Sequence, residues 1–215
     1  MNRADTLPEF QIAPEAELPV SQACLRNQQP IADALGRILP RYSVVLEIGS
    51  GTGQHAAHIT SSMPDITWQP SELASGIASI NAWRLRSGRP NFLPPLVLDV
   101  SQDLWPVKQV DAVFAANIIH YVSWPKVRAM MAGIGRVLRV GGQACFYGPF
   151  NYNRQFTSDG NRKLDAWLKA DVDPDAGIKD FEQVVLAARR EKLKLVEDIE
   201  MPANNRLLWF RRYNG

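Results

Sequence analysis

Cysteine is scarce in this chain: Cys24 and Cys145 are the only two among 215 residues. They stand far apart and make no disulfide or zinc pattern. Cys145 lies in an apolar, strand-like run and reads as core. Histidine is almost as rare, with three residues. His55 and His58 are one helical turn apart, a spacing that can bind metal, but no third ligand lies nearby in sequence. No metal is therefore expected. No apolar run reaches the roughly 20 residues of a membrane-spanning helix. Nor does the N-terminus join a basic region to an apolar one, as a signal peptide would. The reading is a cytoplasmic protein with no membrane partner. An excess of one charge is missing too, with 24 Lys and Arg against 22 Asp and Glu. No global field attracts nucleic acid, so no nucleic-acid partner is expected. The basic stretch Arg189 to Lys194 reads as the end of a helix, its cations near the negative dipole end. Internal repeats and low-complexity tracts are absent. A single domain over 1–215, monomeric or homodimeric, is the simplest organisation.

What is present is organised around one stretch, Val44-Val45-Leu46-Glu47-Ile48-Gly49-Ser50-Gly51-Thr52-Gly53-Gln54-His55. An apolar run of strand length meets three glycines at alternate positions, and helix-compatible residues follow. Such a strand–turn–helix context is what a glycine-rich nucleotide loop requires. Glycine permits positive φ and close approach of a ligand to the backbone. The spacing is G-x-G-x-G, not the G-x-G-x-x-G that seats a pyrophosphate at a helix end. Glu47 stands two residues before the first glycine, where it would repel a pyrophosphate and suit a cation. S-adenosylmethionine (SAM) has no phosphate and carries a sulfonium and an ammonium. Another nucleotide or a purely structural turn are the competing readings of the loop.

The rest of the chain alternates strands and helices. Residues 1–20 read as a loose arm. Pro30 opens a helix whose Ile31, Leu35, Ile38 and Leu39 share a face, and Pro40 stops it. The polar stretch Ser21 to Gln28 before it is either a cap or a cover for a pocket. The helix after the glycine loop runs to about Ser62. Ile66 to Ser71 is a second strand, followed by Glu72, which is read as a two-acceptor carboxylate for ribose hydroxyls or as a helix N-terminal acid. Ser71 can share the ribose contact. Ile77, Ile80 and Trp83 mark the next helix. Phe92 to Leu98 is a third strand ending in Asp99-Val100, where Asp99 either accepts from an adenine amine or makes a turn. Val110 to Ala116 is a buried fourth strand. Asn117, Ile118, His120 and Tyr121 lie at its C-terminal end, where open α/β sheets place ligands. Trp124 to Leu138 is a helix capped by Gly141-Gly142, and Gln143 to Tyr147 is a fifth strand. Strands over Leu193 to Met201 and Leu207 to Phe210 close the chain through a tight link at Pro202 to Asn205. This alternation predicts a mostly parallel, doubly wound sheet with helices on both faces. The segment between the fifth and sixth strands is longer than one crossover helix needs. Residues 149–180 are read as an insertion over an acceptor site, or as a solvated loop.

The loop Glu47-x-Gly49-x-Gly51-x-Gly53 resembles the first motif of class I SAM-dependent methyltransferases. The wider set comprises Ala23 with Arg26-Asn27, Leu46 to His55, Trp68-Gln69-Pro70-Ser71, Ala116 to His120, Tyr147-Gly148-Pro149-Phe150 and Met201 to Asn205. It resembles an uncharacterised, mostly bacterial methyltransferase-like family of the domain-of-unknown-function kind. The resemblance implies a Rossmann-like, seven-stranded sheet with an antiparallel last strand. It implies SAM as cofactor, held by Glu47, Gly49, Ser50, Gly51, Gly53, Gln54, His55, Ser71, Glu72, Asp99, Val100, Asn117 and Ile118. It also makes Arg26 and Asn27 part of the cover over that pocket, within an N-terminal arm and helix spanning 1–40. It implies no substrate.

Methyl transfer from a sulfonium is an in-line displacement, so alignment supplies much of the acceleration. A base is needed only where the acceptor must lose a proton. No N/D-P-P-Y/W motif of exocyclic amino methyltransferases is present, and neither cysteine has the Pro-Cys setting of cytosine C5 enzymes. A small-molecule acceptor with an O, N or S nucleophile fits best. His120 is the candidate base, with a structural role as the alternative, and Tyr147 can orient the acceptor. Tyr121, Phe150, Tyr152 and Phe156 are expected to wall the acceptor site, with Arg154 anchoring an acidic group. The rival readings are a protein that binds SAM without catalysis, or serves as a partner subunit, and an NAD-dependent oxidoreductase.

Overall fold

The computed structural model describes residues 18–214, so most of the arm read over 1–20 lies outside the described residues. Seven strands form one sheet: β1 (Val44–Ile48), β2 (Thr67–Glu72), β3 (Leu96–Val97), β4 (Val110–Ala116), β5 (Leu138–Gly148), β6 (Leu193–Met201) and β7 (Asn205–Arg212). Their spatial order is β3-β2-β1-β4-β5-β7-β6. The pairs among β1 to β5 are parallel, and β7 runs antiparallel to both β5 and β6. This is the doubly wound sheet with an antiparallel last strand that the sequence and its resemblance led us to expect. The order reverses between β1 and β4, and a ligand crevice opens beyond the strand ends at such a point.

The central strands are buried on both faces, so alternate residues feed two cores. Val45, Trp68 and Phe114 pack with Ile31 and Leu35 of α1 (Gln22–Ile38), Ile59 of α2 (Gln54–Ser62) and Ile80 of α3 (Ile77–Ser87). Leu46, Val113 and Phe146 pack on the other side with Met130, Met131 and Ile134 of α5 (Trp124–Val137) and with Val184 of α7 (Phe181–Arg190). Met130 and Met131 are fully buried.

Three boundaries differ from the sequence reading. The first helix begins eight residues before Pro30, with Ser21 as N-cap and the proline inside. Pro30 removes only the amide that would bond the Arg26 carbonyl, while burial of Ile31, Ala34, Leu35 and Ile38 holds the helix to the sheet. The polar stretch before it is thus two further helical turns, carrying Arg26 and Asn27 over the sheet edge. The third strand shrinks to Leu96–Val97, because Pro94 and Pro95 have no amide for the ladder. Gly141-Gly142 lies inside β5 and does not cap α5. The register jumps there from Val110↔Leu138 to Ala112↔Gln143, and Gly141, at φ 81°, takes the turn in the bulge.

The insertion is ordered. It contains α6 (Asp159–Trp167), a π turn (Leu168–Val172) and a return to α7. Asp165 is buried and takes the Ile178 amide at 2.8 Å and Lys169 Nζ at 2.6 Å. The Gly177 amide donates to the His120 carbonyl at 2.9 Å. The insertion is therefore fastened to α4 (Ile118–Tyr121), the short helix at the end of β4.

Candidate functional site

The glycine loop leaves β1 with Gly49, Gly51 and Gly53 all at positive φ, at 70°, 56° and 92°. A Cβ on Gly49 would lie 3.0 Å from Ile118 Cδ1, and one on Gly53 would lie 3.0 Å from Ile80 Cα. The first glycine therefore lets the loop pass under α4, and the third lets α2 approach α3. Glu72 ends β2 facing this loop. Its Oε2 accepts the Gly51 amide at 3.0 Å and its Oε1 the Leu73 amide at 2.7 Å. Pro70-Ser71 does not displace it, since both belong to the strand. Ser71 and Ser50 tie the loop to β2: the Ser50 amide donates to the Ser71 carbonyl at 3.0 Å, and the Ser71 amide to Ser50 Oγ at 3.2 Å.

Gly49, Glu72, Asp99, Val100 and Ile118 line one small cavity of about 90 Å³, together with Ile48, Leu73, Leu98, Val122 and Lys126. Asp99 makes the turn weighed for it. Its Oδ1 makes a turn with the Ser101 amide and hydroxyl, at 2.9 and 2.6 Å, while the residue still faces the cavity. Those hydrogen bonds hold its carboxyl below the usual range. Lys126 carries no motif signal in the sequence and comes to this cavity from α5.

A second cavity, of about 400 Å³, opens past Asn117. Arg26, Asn27, Asn117, His120, Tyr121 and Tyr147 line it, so six expected site residues from three segments meet there. Ala23, Pro149, Leu164 and the β6–β7 turn at Pro202, Ala203 and Asn205 complete the wall. That turn was legible only as part of the family-like pattern, since nothing in its own chemistry marked it. Asn117 sits at φ 65°, a left-handed position uncommon outside glycine. Its amide donates to the Tyr147 carbonyl at 2.7 Å, which locks β4 to β5 at their ends. Strain of this kind concentrates at functional sites.

Glu47, Gln54 and His55 lie beneath the loop. Glu47 is buried, accepts Trp68 Nε1 at 2.9 Å, and has its carboxyl pushed up to about 7 by burial, against the hydrogen bonds from Trp68 and Ser50. The His55 ring nitrogen Nε2 donates to Asn27 Oδ1 at 2.8 Å, joining α2 to α1. Burial and the nearby His58 bring its pKa down to about 4. Gln54 accepts the Ser21 amide at the start of α1. The contacts of His55 and Gln54 hold α1 across the loop. His120 is 3% exposed, and burial, helped by the charge of Lys179, brings it down to about 3. Its imidazole is neutral at physiological pH. Burial raises the Tyr147 phenol, opposed by a hydrogen bond with Asn27 and by the charge of Arg26.

Four expected wall residues are elsewhere. Phe150 is 1% exposed and packs in the α5–α7 core. Tyr152 stacks on Phe181 and donates to Asp198 Oδ2 at 2.7 Å, which fixes it against β6. Phe156 lies under Arg162, 5.4 Å from its guanidinium carbon. Arg154 is exposed on a different face, beside Asp180 and Glu182. The chain turns sharply through Asn153 and Arg154, at φ 51° and 62°. No cluster of three His, Cys, Asp or Glu suited to a metal occurs among the described residues.

Residues 18–212 match a family described as "Protein of unknown function (DUF938)". Solved structures share the fold at low identity. An O-methyltransferase family protein from Burkholderia thailandensis superposes with a TM-score of 0.77 at 15% identity, over 90% of this chain and 58% of its own. An O-methyltransferase family 2 protein from Planctomyces limnophilus in complex with apigenin gives 0.75 at 14%, over 88% and 60%. Human N-acetylserotonin methyltransferase in complex with SAM gives 0.75 at 11%, over 90% and 53%. The chain spans little more than half the length of these proteins.

Proposed function

The chain belongs to the DUF938 family, which carries no assigned activity, and from the geometry of its two cavities we propose a SAM-dependent methyltransferase acting on a small molecule. The observation that carries this reading is Glu72, placed at the end of β2 against the Gly51 amide and sharing a cavity with Asp99. Two carboxylates on a glycine loop disfavour a pyrophosphate and suit a nucleoside with a cationic tail. The shape agrees, since a Cβ at Gly49 would press on Ile118 in the wall of the smaller cavity.

In this reading Glu72, with Ser71 behind it, takes the ribose hydroxyls, and Asp99, Val100 and Ile118 flank the base. The loop from Gly49 to Gly53 lies along the cofactor. Asn27 and Asn117 face its methionyl end, and Glu47 lies below with a compensating charge. When bound, SAM supplies an electrophilic methyl group, whose C–S bond breaks as the acceptor atom bonds to carbon. His120 puts a neutral ring nitrogen at the acceptor cavity, where it takes a hydrogen bond from the acceptor, and Tyr147 orients the acceptor. The O-methyltransferase names among the structural neighbours support oxygen as the methylated atom, at the level of fold likeness. A cytoplasmic protein, active as a monomer or homodimer and without a nucleic-acid partner, is part of the same proposal.

The test is binding followed by turnover. Calorimetry is expected to detect SAM and S-adenosylhomocysteine but not NAD. Glu72→Ala should weaken SAM by about 1.5–3 kcal/mol, the scale of a charged hydrogen bond. NAD binding, or unchanged SAM affinity in that variant, would count against the proposal. His120→Ala should lower turnover with SAM affinity little changed, and unchanged turnover would count against a role for His120 at the acceptor.

A further inference from the structure

The larger cavity has a charge character that narrows the acceptor. No Asp or Glu lines it, whereas the smaller cavity has two. Arg26 reaches it from the open side of α1, and no described acid pairs with its guanidinium. The nearest buried acid of the insertion, Asp165, is already taken by Lys169 and the Ile178 amide. A cationic amine entering here would find no carboxylate in the wall. An anion would meet a free guanidinium.

The wall is flat and apolar where it is not charged. Tyr121 is 40% exposed at the cavity, and Trp167, at 46%, meets it edge to face with ring centroids 6.5 Å apart. Leu164, Pro149 and Pro202 add rigid apolar surface around it. Exposed rings in an edge-to-face pair offer a face on which another ring can stack. A volume of about 400 Å³ is at the small end of ligand cavities, so an acceptor sharing it with the methionyl group is small.

We propose that the acceptor is a small aromatic or heteroaromatic carboxylic acid, its ring against Tyr121 and its carboxylate held by Arg26. This rests on the methyltransferase reading, but reassigns Arg26 from the cofactor to the acceptor and gives it the anchoring role expected of Arg154. The guanidinium offers paired donors that match a carboxylate.

The experiment titrates the full chain, loaded with S-adenosylhomocysteine, with 4-hydroxybenzoate, its neutral amide 4-hydroxybenzamide, and the amine tyramine. The acid is expected to bind at least tenfold more tightly than the amide, and tyramine least. Arg26→Gln should erase the preference for the acid while leaving the dissociation constant of S-adenosylhomocysteine within twofold. Its melting temperature should be unchanged, since Arg26 is exposed. Equal or better binding of the amide or amine overturns the proposal. So does an Arg26→Gln variant that loses S-adenosylhomocysteine and keeps the acid, because the guanidinium then serves the cofactor. If the wild-type chain binds no S-adenosylhomocysteine, the methyltransferase reading fails. The same three probes on the unliganded protein then decide the role of Arg26 by themselves.

Discussion

Three buried side chains ionise away from their usual range, and they set how the protein responds to pH. His55 and His120 are brought down to about 4 and about 3 by burial. Their unfolded forms take up protons below roughly pH 6.5 while the folded forms do not. Their contribution is present above that pH and is lost as pH falls towards about 4. Glu47, raised to about 7, acts in the opposite sense. Its contribution is present below roughly pH 4.5, the ordinary range of the group, and is lost as pH rises through about 7. Between about 4.5 and 6.5 two histidines oppose one carboxyl, so unfolding is expected to take up about one net proton and stability to fall on acidification. Urea unfolding from pH 5 to 8 measures this, and Glu47→Gln should make the acid limb steeper. An unchanged slope in that variant would place the glutamate's titration elsewhere. The same residue makes a prediction for the proposed cofactor. A cationic ligand above Glu47 favours its carboxylate, so SAM binding is expected to release a proton. Affinity should rise from pH 6 to 8 in the wild type and stay flat in Glu47→Gln. Proton release is read from calorimetric heats in buffers of different ionisation enthalpy.

Among the elements, the insertion between β5 and β6 bears on the proposed acceptor cavity through Leu164 and its tie to His120. Gly177 is central to that tie. Its φ of 132° is a conformation that residues with a side chain rarely adopt. A Cβ there would stand 2.6 Å from Asp165 Oδ1 and 2.9 Å from Lys169 Cε. Gly177→Ala is therefore expected to push the buried carboxylate off the Ile178 amide, at a cost of about 1–3 kcal/mol. Because the Gly177 amide also holds the His120 carbonyl, 4-hydroxybenzoate binding should weaken while SAM binding is kept. Thermal melting and the two titrations test this together. Equal loss of both ligands would mean that the insertion supports the whole site and not only its acceptor half. The first helix shows the same economy. Three contacts, Gln54 to the Ser21 amide, His55 to Asn27, and the packing of Ile31 and Leu35, seat α1 over the glycine loop.

At the scale of the whole molecule, the near balance of 24 basic and 22 acidic residues leads to a further expectation. Binding to duplex DNA needs a clustered basic face that releases counterions. Of the arginines Arg206, Arg211 and Arg212 on β7, Arg206 is committed to Asp198 at 2.7 Å. A gel-shift assay at physiological salt is expected to find no appreciable affinity, and tight, salt-sensitive binding would overturn this. The sequence by itself determined the sheet, its two-sided burial and the glycine turn. These depend on short-range pattern: Val44 to Ile48 is apolar but for Glu47, and glycine readily accepts three positive φ values at alternate positions. Ser50, Ser71 and Glu72 were legible for the same reason, since a strand end next to such a loop has one place to be. Proline misled twice, because its lost amide is tolerated when neighbouring side chains are buried, as in α1, and is not when the ladder needs it, as in β3. Only the tertiary structure decided which residues face the acceptor. Phe150, Tyr152, Arg154 and Phe156 carried the right chemistry, but long-range packing puts Phe150 in the core, Tyr152 against β6 and Arg154 on another surface. Arg26, Leu164 and the Pro202–Asn205 turn come from distant parts of the chain, and they meet because α1, α6 and the β6–β7 turn all close over one end of the sheet. No periodicity encodes that convergence, which depends on how long-range contacts close around the sheet's C-terminal edge.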